Sequence, residues 1–419
     1  MHGQQRRRRG LVGDENVAQA GADGAPDDAT PVRDSLTFLR GRLDTGAGED
    51  AQQLFPEGYY FAHALYGLAW TDLAAAGHAD VAAARREARW ALDRLESPAG
   101  RQPFSASLRP SYGIFYAGWT LLLRAQLAAL DDDAEEDRRV RDEADAIAGA
   151  FEASLDAGGS PFLVAYPGQS WPVDNVVAIA ALRQADRATG SDHGPLIARW
   201  LARAQELVDP ATRLLPHQTD PATGRVVEGS RGTSQSIIQR LWPIVDPSTA
   251  PDVYRRFHDR FVQSSLGWVG VREYPTGIDG PGDVDSGPVV LGFAASSTAV
   301  SIGAARANGD PDLAVAILHE ADVYGMPLTW SGERRYLGGV LPVGDAFMAW
   351  ARAAPLAPAT DQPSPTAWWP MHLLLPWTVV GGAWLLVVRR RRSGAPRGAR
   401  AVHQKAASPA PPVPAGRRP

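Results

Sequence analysis

The sequence predicts an all-α fold, an (α/α)6 toroid of six inner and six outer helices, followed by one C-terminal transmembrane helix. Three observations predict it. Six segments are apolar or small on nearly every side, as helices buried all round must be. Amphipathic segments alternate with them. The apolar segments begin near 57, 111, 172, 232, 287 and 340, a period of 53–61 residues. A stacked helical solenoid also repeats at fixed period, but it leaves both ends open and rarely makes six consecutive helices apolar on all faces.

Taken in order, residues 1–31 carry Arg6 to Arg9 and then a Gly/Ala/Asp-rich run, and read as a disordered leading segment. PVRDSLTFLRGRL over 32–44 is amphipathic and closes the circle as the last outer helix. The inner helices are GYYFAHALYGLAWTDLA from Gly58, SYGIFYAGWTLLLRAQLAAL from Ser111, PVDNVVAIAALRQA from Pro172, GTSQSIIQRLWPIV from Gly232, GPVVLGFAASSTAVSIGAAR from Gly287 and GVLPVGDAFMAWARA from Gly339. Between them lie the outer helices: Val81 to Leu95, 137–156, Leu196 to Val208, Val253 to Val262, and 310–323, each with apolar residues at helical period and charged residues opposite. The barrel domain is therefore 32–354, followed by a Pro-rich linker at 355–366.

Residues 367–388, AWWPMHLLLPWTVVGGAWLLVV, hold His372 as their one ionisable group. At 1.5 Å per residue they span about 33 Å, the thickness of a bilayer core. Trp368 and Trp369 suit one interface, and Arg389 to Arg392 follow at the other. The positive-inside rule then puts the basic disordered tail, 389–419, in the cytoplasm and the barrel outside. This predicts a single-pass protein of the cell membrane. No apolar stretch follows Arg9 as a signal peptide would require, so orientation and start codon stay open.

Charge partitions sharply. The net charge is −5, yet residues 1–10 carry four Arg and 389–419 nine basic residues with no acid, leaving 29 basic against 47 acidic residues between them. That acidic body excludes a nucleic-acid-binding core, because phosphate binding needs a basic surface. With no Cys there is no disulfide and no thiolate ligand. Lys405 is the one lysine, which excludes Schiff-base and P-loop chemistry within the body. No cofactor and no metal are expected.

Links from inner to outer helices are short, such as Gly77-His78 and Asn308-Gly309, whereas the return links run to 13–23 residues. Long loops thus gather at one rim, where the inner helices start and where function tends to sit. Before the third inner helix stands YPGQSWPVDN, with Gln169, Trp171 and Asp174; Pro172 suits a first helical turn. Asp174 either complements the helix dipole or acts on substrate. Before the fifth lies VREYPTGIDGPGDVDSGP, with Arg272, Glu273, Tyr274, Asp279, Asp283 and Asp285. Ser286 or Asp285 is the expected N-cap ahead of Pro288. The acid spacing there does not match an EF-hand loop.

Two carboxyl groups on different sides of an opening are what acid–base cleavage of a C–O bond needs. Asp174 and Asp285 are the expected pair. His63, one turn into the first inner helix, is either a third acid–base group or a core histidine. Tyr59, Tyr60, Tyr112, Tyr116, Trp171, Tyr274 and Tyr336 offer flat faces suited to sugar rings or terpenoid alcohols. Tyr60, Tyr112, Gln169, Trp171, Arg231, Glu273, Asp283 and Tyr336 are the expected substrate contacts. His217 sits in LLPHQTDPATGRVVEG, which reads as a β-hairpin turning at Pro221 to Gly224, with Arg231 just after it.

Over about 55–350 the chain resembles the linalool dehydratase/isomerase family. The shared features are Pro161-Phe162 ahead of the third inner helix, Leu207-Val208-Asp209-Pro210 at a helix end, the turn Asp220-Pro221-Ala222-Thr223-Gly224, Tyr66-Gly67-Leu68-Ala69, and Arg335-Tyr336 through Asp345. The resemblance implies the same (α/α)6 barrel. That family's catalytic cysteines fall near Ala165 and Val173 and are absent; its histidine falls near Phe115 and is also missing, while Tyr112 is retained. The resemblance therefore implies a shared ring with a different site. The expectation is a membrane-anchored lyase or hydrolase breaking a C–O bond of a small-molecule or carbohydrate substrate by carboxylates. The alternative is a non-catalytic glycan- or lipid-binding receptor on the same ring.

Overall fold

The computed structural model describes residues 29–131 and 133–360. The expected transmembrane span at 367–388 and tail at 389–419 lie outside the described residues. So does most of the expected leading segment. Among the described residues no helix is long and apolar enough to cross a membrane.

Fourteen α-helices make up most of the described chain: α1 (Ala29–Leu43), α2 (Ala47–Leu54), α3 (Gly58–Ala75), α4 (Val81–Leu95), α5 (Pro98–Arg101), α6 (Gly113–Ala128), α7 (Ala134–Asp156), α8 (Pro172–Thr189), α9 (Gly194–Gln205), α10 (Gly232–Val245), α11 (Ala250–Phe261), α12 (Ala295–Ala307), α13 (Pro311–Gly325) and α14 (Pro342–Ala353). Helices α3, α6, α8, α10, α12 and α14 pack each on the next, and α14 packs back on α3. The circuit is closed, consistent with an α/α toroid. Helices α4, α7, α11 and α13 lie against α3, α6, α10 and α12, α9 against α7, and α1 against the α14–α3 joint.

Local chemistry sets these boundaries. Asp80, Asp133 and Asp310 cap α4, α7 and α13 by accepting main-chain N–H groups of the first turn. Proline occupies the first turn of α8, α13 and α14, where a missing N–H costs nothing. The inner helices are apolar on most sides because both faces are covered: in α8 every residue from Asp174 to Leu182 is buried.

The structure differs from the expectation at several places. The chain between 32 and 354 is not all helix, since four antiparallel hairpins stand in the long loops: β1 (Gln218–Thr219) with β2 (Val226–Glu228), β3 (Val262–Ser265) with β4 (Trp268–Val271), β5 (Val289–Val290) with β6 (Phe293–Ala294), and β7 (Leu328–Trp330) with β8 (Glu333–Arg335). The first of these is the hairpin expected after His217. The fifth inner helix starts at Ala295 rather than Gly287, because Leu291 and Gly292 take φ of 54° and 84° and fold the preceding apolar run into a two-residue hairpin turn. Ser286 consequently caps no helix; its hydroxyl accepts from Asp283 N at 2.9 Å. Helix α1 begins at Ala29, ahead of the expected boundary, and Ala357 and Thr360 in the expected linker bond to Arg306 and Gly309 main-chain oxygens at 2.9 and 2.7 Å.

Buried polar residues bridge the ring well below the mouth. Asp72 sits in the fourth turn of α3, about 20 Å from the helix start. It accepts Arg240 Nη2 from α10 at 2.5 Å. The Arg240 Nη1 donates to Trp350 O at 2.5 Å, and the guanidinium lies 3.8 Å over the Trp350 ring. Burial pushes Asp72 up to about 6 and Arg240 down to about 10, partly offset by their attraction. Phe61, Phe115, Trp119, Phe347 and Trp350 form an aromatic network on α3, α6 and α14.

Candidate functional site

The loop before α8 is pinned by Asn175, which is fully buried. Its Oδ1 accepts Leu163 N at 2.7 Å, and its Nδ2 donates to Leu163 O and Trp171 O at 3.2 and 3.0 Å. This fixes Trp171 at the N-cap and aims the first turn of α8 at the mouth. Asp174 follows there, 6% exposed, and its carboxyl accepts no hydrogen bond among the described residues. Burial pushes it well above the usual carboxylate range, and the charges of Glu57 and Asp285 push it further.

Glu57 stands at the N-cap of α3, and the Tyr166 hydroxyl donates to its Oε1. Burial, then Glu57, Asp174 and Asp285, raise the Tyr166 phenol. Tyr166 packs edge-on against Trp171, with centroids 5.6 Å apart. Asp285 keeps solvent contact at the mouth; its crowding by protein, then Asp283 and Glu57, lifts it to about 6 against the pull of Arg231. Three loops and one helix therefore bring Glu57, Tyr166, Asp174 and Asp285 into one electrostatic group. The expected Asp174 and Asp285 fall within it. Glu57 and Tyr166 were not anticipated; Glu57 had a signal, since like Asp174 it is an acid at an inner-helix start, and Tyr166 had none.

A second set adjoins it. Arg231, 5% exposed, donates Nε to Glu273 Oε1 at 2.6 Å, and its Nη2 lies 2.6 Å from Asp283 Oδ2. Crowding raises Asp283, but Ser286 N–H and Arg231 bind its carboxylate and hold it below the usual range. Glu273 is fully buried and also accepts Thr233 Oγ1 at 2.6 Å and Ser297 Oγ at 2.9 Å. It ties the loop after β4 to α10 and α12, and it is fully buried where the sequence leads one to expect a substrate contact. Gly232 permits this approach: a Cβ there would strike Arg272 O. His217 lies 2.6 Å from Ser234 Oγ by Nδ1 and 4.0 Å from Glu228 Oε2 by Nε2. Burial, then Arg231, lowers it to about 4.

Several expected site residues lie elsewhere. His63 is 1% exposed, with Nδ1 2.8 Å from Tyr59 O and its ring packed against Tyr59 and Trp90; burial lowers it to about 4. It is a core histidine of α3, outside the acid cluster. Tyr60 is fully buried, its hydroxyl bonded to Tyr116 O and Thr120 Oγ1, so it is wall rather than lining. Tyr336 accepts Arg352 Nη1 at 2.7 Å and packs in the second apolar cluster with Tyr254 and Phe257. Tyr112, at φ 68°, borders a separate cavity of about 170 Å³ shared with Glu96, Arg101 and Glu143. Gln169 closes a turn with Tyr166 through its main chain, and its side chain is exposed. Among the described residues no three His, Cys, Asp or Glu side chains are placed to hold a metal ion.

No family model and no curated protein matches the chain. Among solved structures it is similar to one titled crystal structure of D-mannose isomerase, at 10% identity over 76% of this chain and 97% of that one, with a TM-score of 0.46.

Proposed function

We propose that the protein is a carbohydrate-acting enzyme that breaks a C–O bond by carboxylate acid–base catalysis at the rim. The carrying observation is Asp174, a buried carboxyl that accepts no hydrogen bond among the described residues and is acted on by two other acids. An environment that keeps one carboxyl protonated and a neighbour partly ionised separates acid from base. Asp174 donates its proton to the leaving oxygen as the C–O bond breaks. Asp285, open to solvent, takes a proton from the attacking water, which makes hydrolysis the first expectation and elimination the second. Trp171 supplies a ring face for a sugar, and Arg231 holds Asp283 and so the loop carrying Asp285. The ring is carried at a membrane by residues 367–388, with the rim outside the cytoplasm.

The test is turnover of a panel of neutral and amino-sugar oligosaccharides by the full chain, read as released reducing ends, beside Asp174→Asn and Asp285→Asn. Elimination would show instead as an unsaturated, ultraviolet-absorbing product. Turnover by both variants equal to that of the unaltered chain would sink the site. Protease access to the ring on intact cells tests the orientation.

A further inference from the structure

The mouth gathers acids without a matching cation. Among the described residues the charges acting on Asp174 are those of Glu57 and Asp285, both negative, with no basic group among them. Arg231, the basic side chain that does act on Asp285, is already engaged by Glu273, Asp283 and Glu228. Arg272 is held by Asp279, Gln263 and the main-chain oxygens of Tyr274 and Ile278. Such a site repels anions, and a carboxyl that is 6% exposed yet unbonded is left for a ligand atom.

Beside these acids stands an aromatic corner. Trp171 and Tyr166 meet at 84°, and the Tyr166 hydroxyl is spent on Glu57, so the ring is fixed next to that carboxylate. Tyr166 meets Glu57 through its hydroxyl and stacks on Phe104 at 5.8 Å, so Trp171 is the ring of the corner not engaged in this way. A carboxylate with an aromatic ring close by is the chemistry that recognises an ammonium group, by charge on one side and by ring quadrupole on the other. Neutral hydroxyls gain from the ring but not from the charge.

We propose that the substrate carries a protonated amine, held by Glu57 with Trp171 close by, next to the Asp174–Asp285 pair. Resting on the carbohydrate reading above, the substrate class is then a sugar with a free amino group. Glu57 from the N-cap of α3, Trp171 from the loop before α8 and Asp285 from the loop before α12 are the groups that would meet the amine.

The experiment is calorimetric binding to the full chain of four probes: a glucosamine tetramer, its fully N-acetylated counterpart, a galacturonate tetramer and spermidine. The glucosamine tetramer is expected to bind at least about tenfold tighter than the acetylated one, the scale of one partly desolvated cation–aromatic contact, with the galacturonate weakest. Glu57→Gln should erase that preference while leaving the acetylated tetramer's affinity within about twofold, whereas Trp171→Ala, which removes a ring from every sugar, should weaken both tetramers and shrink the difference between them. Equal or tighter binding of the acetylated tetramer overturns the amine site and leaves the carbohydrate reading standing. Spermidine binding that Glu57→Gln abolishes, with no sugar bound, supports the amine site and removes the carbohydrate reading. No binding of any probe overturns the amine site.

Discussion

Asp72 deep in the ring meets Arg240 across the axis at 2.5 Å, whereas Asp174 at the mouth meets only other acids. Both carboxyls are buried and both are pushed up by it, yet Asp72 has a guanidinium, an aromatic ring behind that guanidinium and Gln126 at 3.4 Å. The deep charge pair is completed by the protein itself. The mouth is not, and a folded chain keeps an unpaired buried acid only where the loss is offset elsewhere. The difference separates a layer that holds the ring together from a layer that is available for chemistry.

The largest expected effect tests the deep layer. Arg240→Met leaves Asp72 buried without its counter-charge, and should lower unfolding free energy by about 3–5 kcal/mol in urea titration. Adding Asp72→Leu should recover most of it, since an apolar pair of similar volume is tolerated where a single charge is not. Failure of the double variant to recover would mean the pair also specifies how opposite helices register. At the mouth the sign reverses: Asp174→Asn should cut kcat/KM by about 10²–10⁴-fold, the usual worth of a general acid, without lowering the urea midpoint. A variant that unfolds earlier would place Asp174 in the holding layer.

Proton linkage sharpens the contrast. Asp285 binds its proton more tightly folded than unfolded, so its contribution is present below about 4 and is lost as pH rises through about 6. His63 and His217, both lowered to about 4, have the opposite sense: their contribution is present above the unfolded value of 6.5 and lost as pH falls through 4. The Tm of Asp285→Asn minus that of the unaltered chain should therefore grow from pH 4 to pH 6.5, the histidines cancelling in the subtraction. A flat difference would mean that Asp285 does not take part in the cluster. The smallest effect is a control in neither layer: Asp80→Ala removes the bond to Ala83 N at 2.8 Å and should cost about 1 kcal/mol with turnover unchanged.

How far the sequence reveals this depends on the physics of each part. Helices α3, α6 and α8 are legible because burial on all sides removes polar residues from whole turns, and α9 or α11 because half-burial leaves a period. The run Val289 to Ala294 is apolar too, and a short apolar run carries no period to separate strand from helix; only the positive φ at Leu291 and Gly292 decides it. Asp174 and Asp285 are legible as acids at inner-helix starts. Tyr166 is not, because its role comes from Glu57, distant in the chain and adjacent only after the ring closes. Tyr60 and Tyr336 carry the same side chain as a sugar-stacking residue, and nothing in their spacing says that their hydroxyls are already spent inside the wall.

The joint between α14 and α3 has a consequence for how the protein is made. Phe61 and Phe347 meet there at 5.3 Å, and they leave the ribosome nearly the whole ring apart. At elongation rates of about 5–20 residues per second, tens of seconds separate their appearance. Five of the six inner joints can form in synthesis order, while α3 waits with an uncovered aromatic flank for its last neighbour. Over that interval the nascent chain is an open arc with one sticky edge, and chaperone dependence should track the pace of translation rather than the stability of the finished ring.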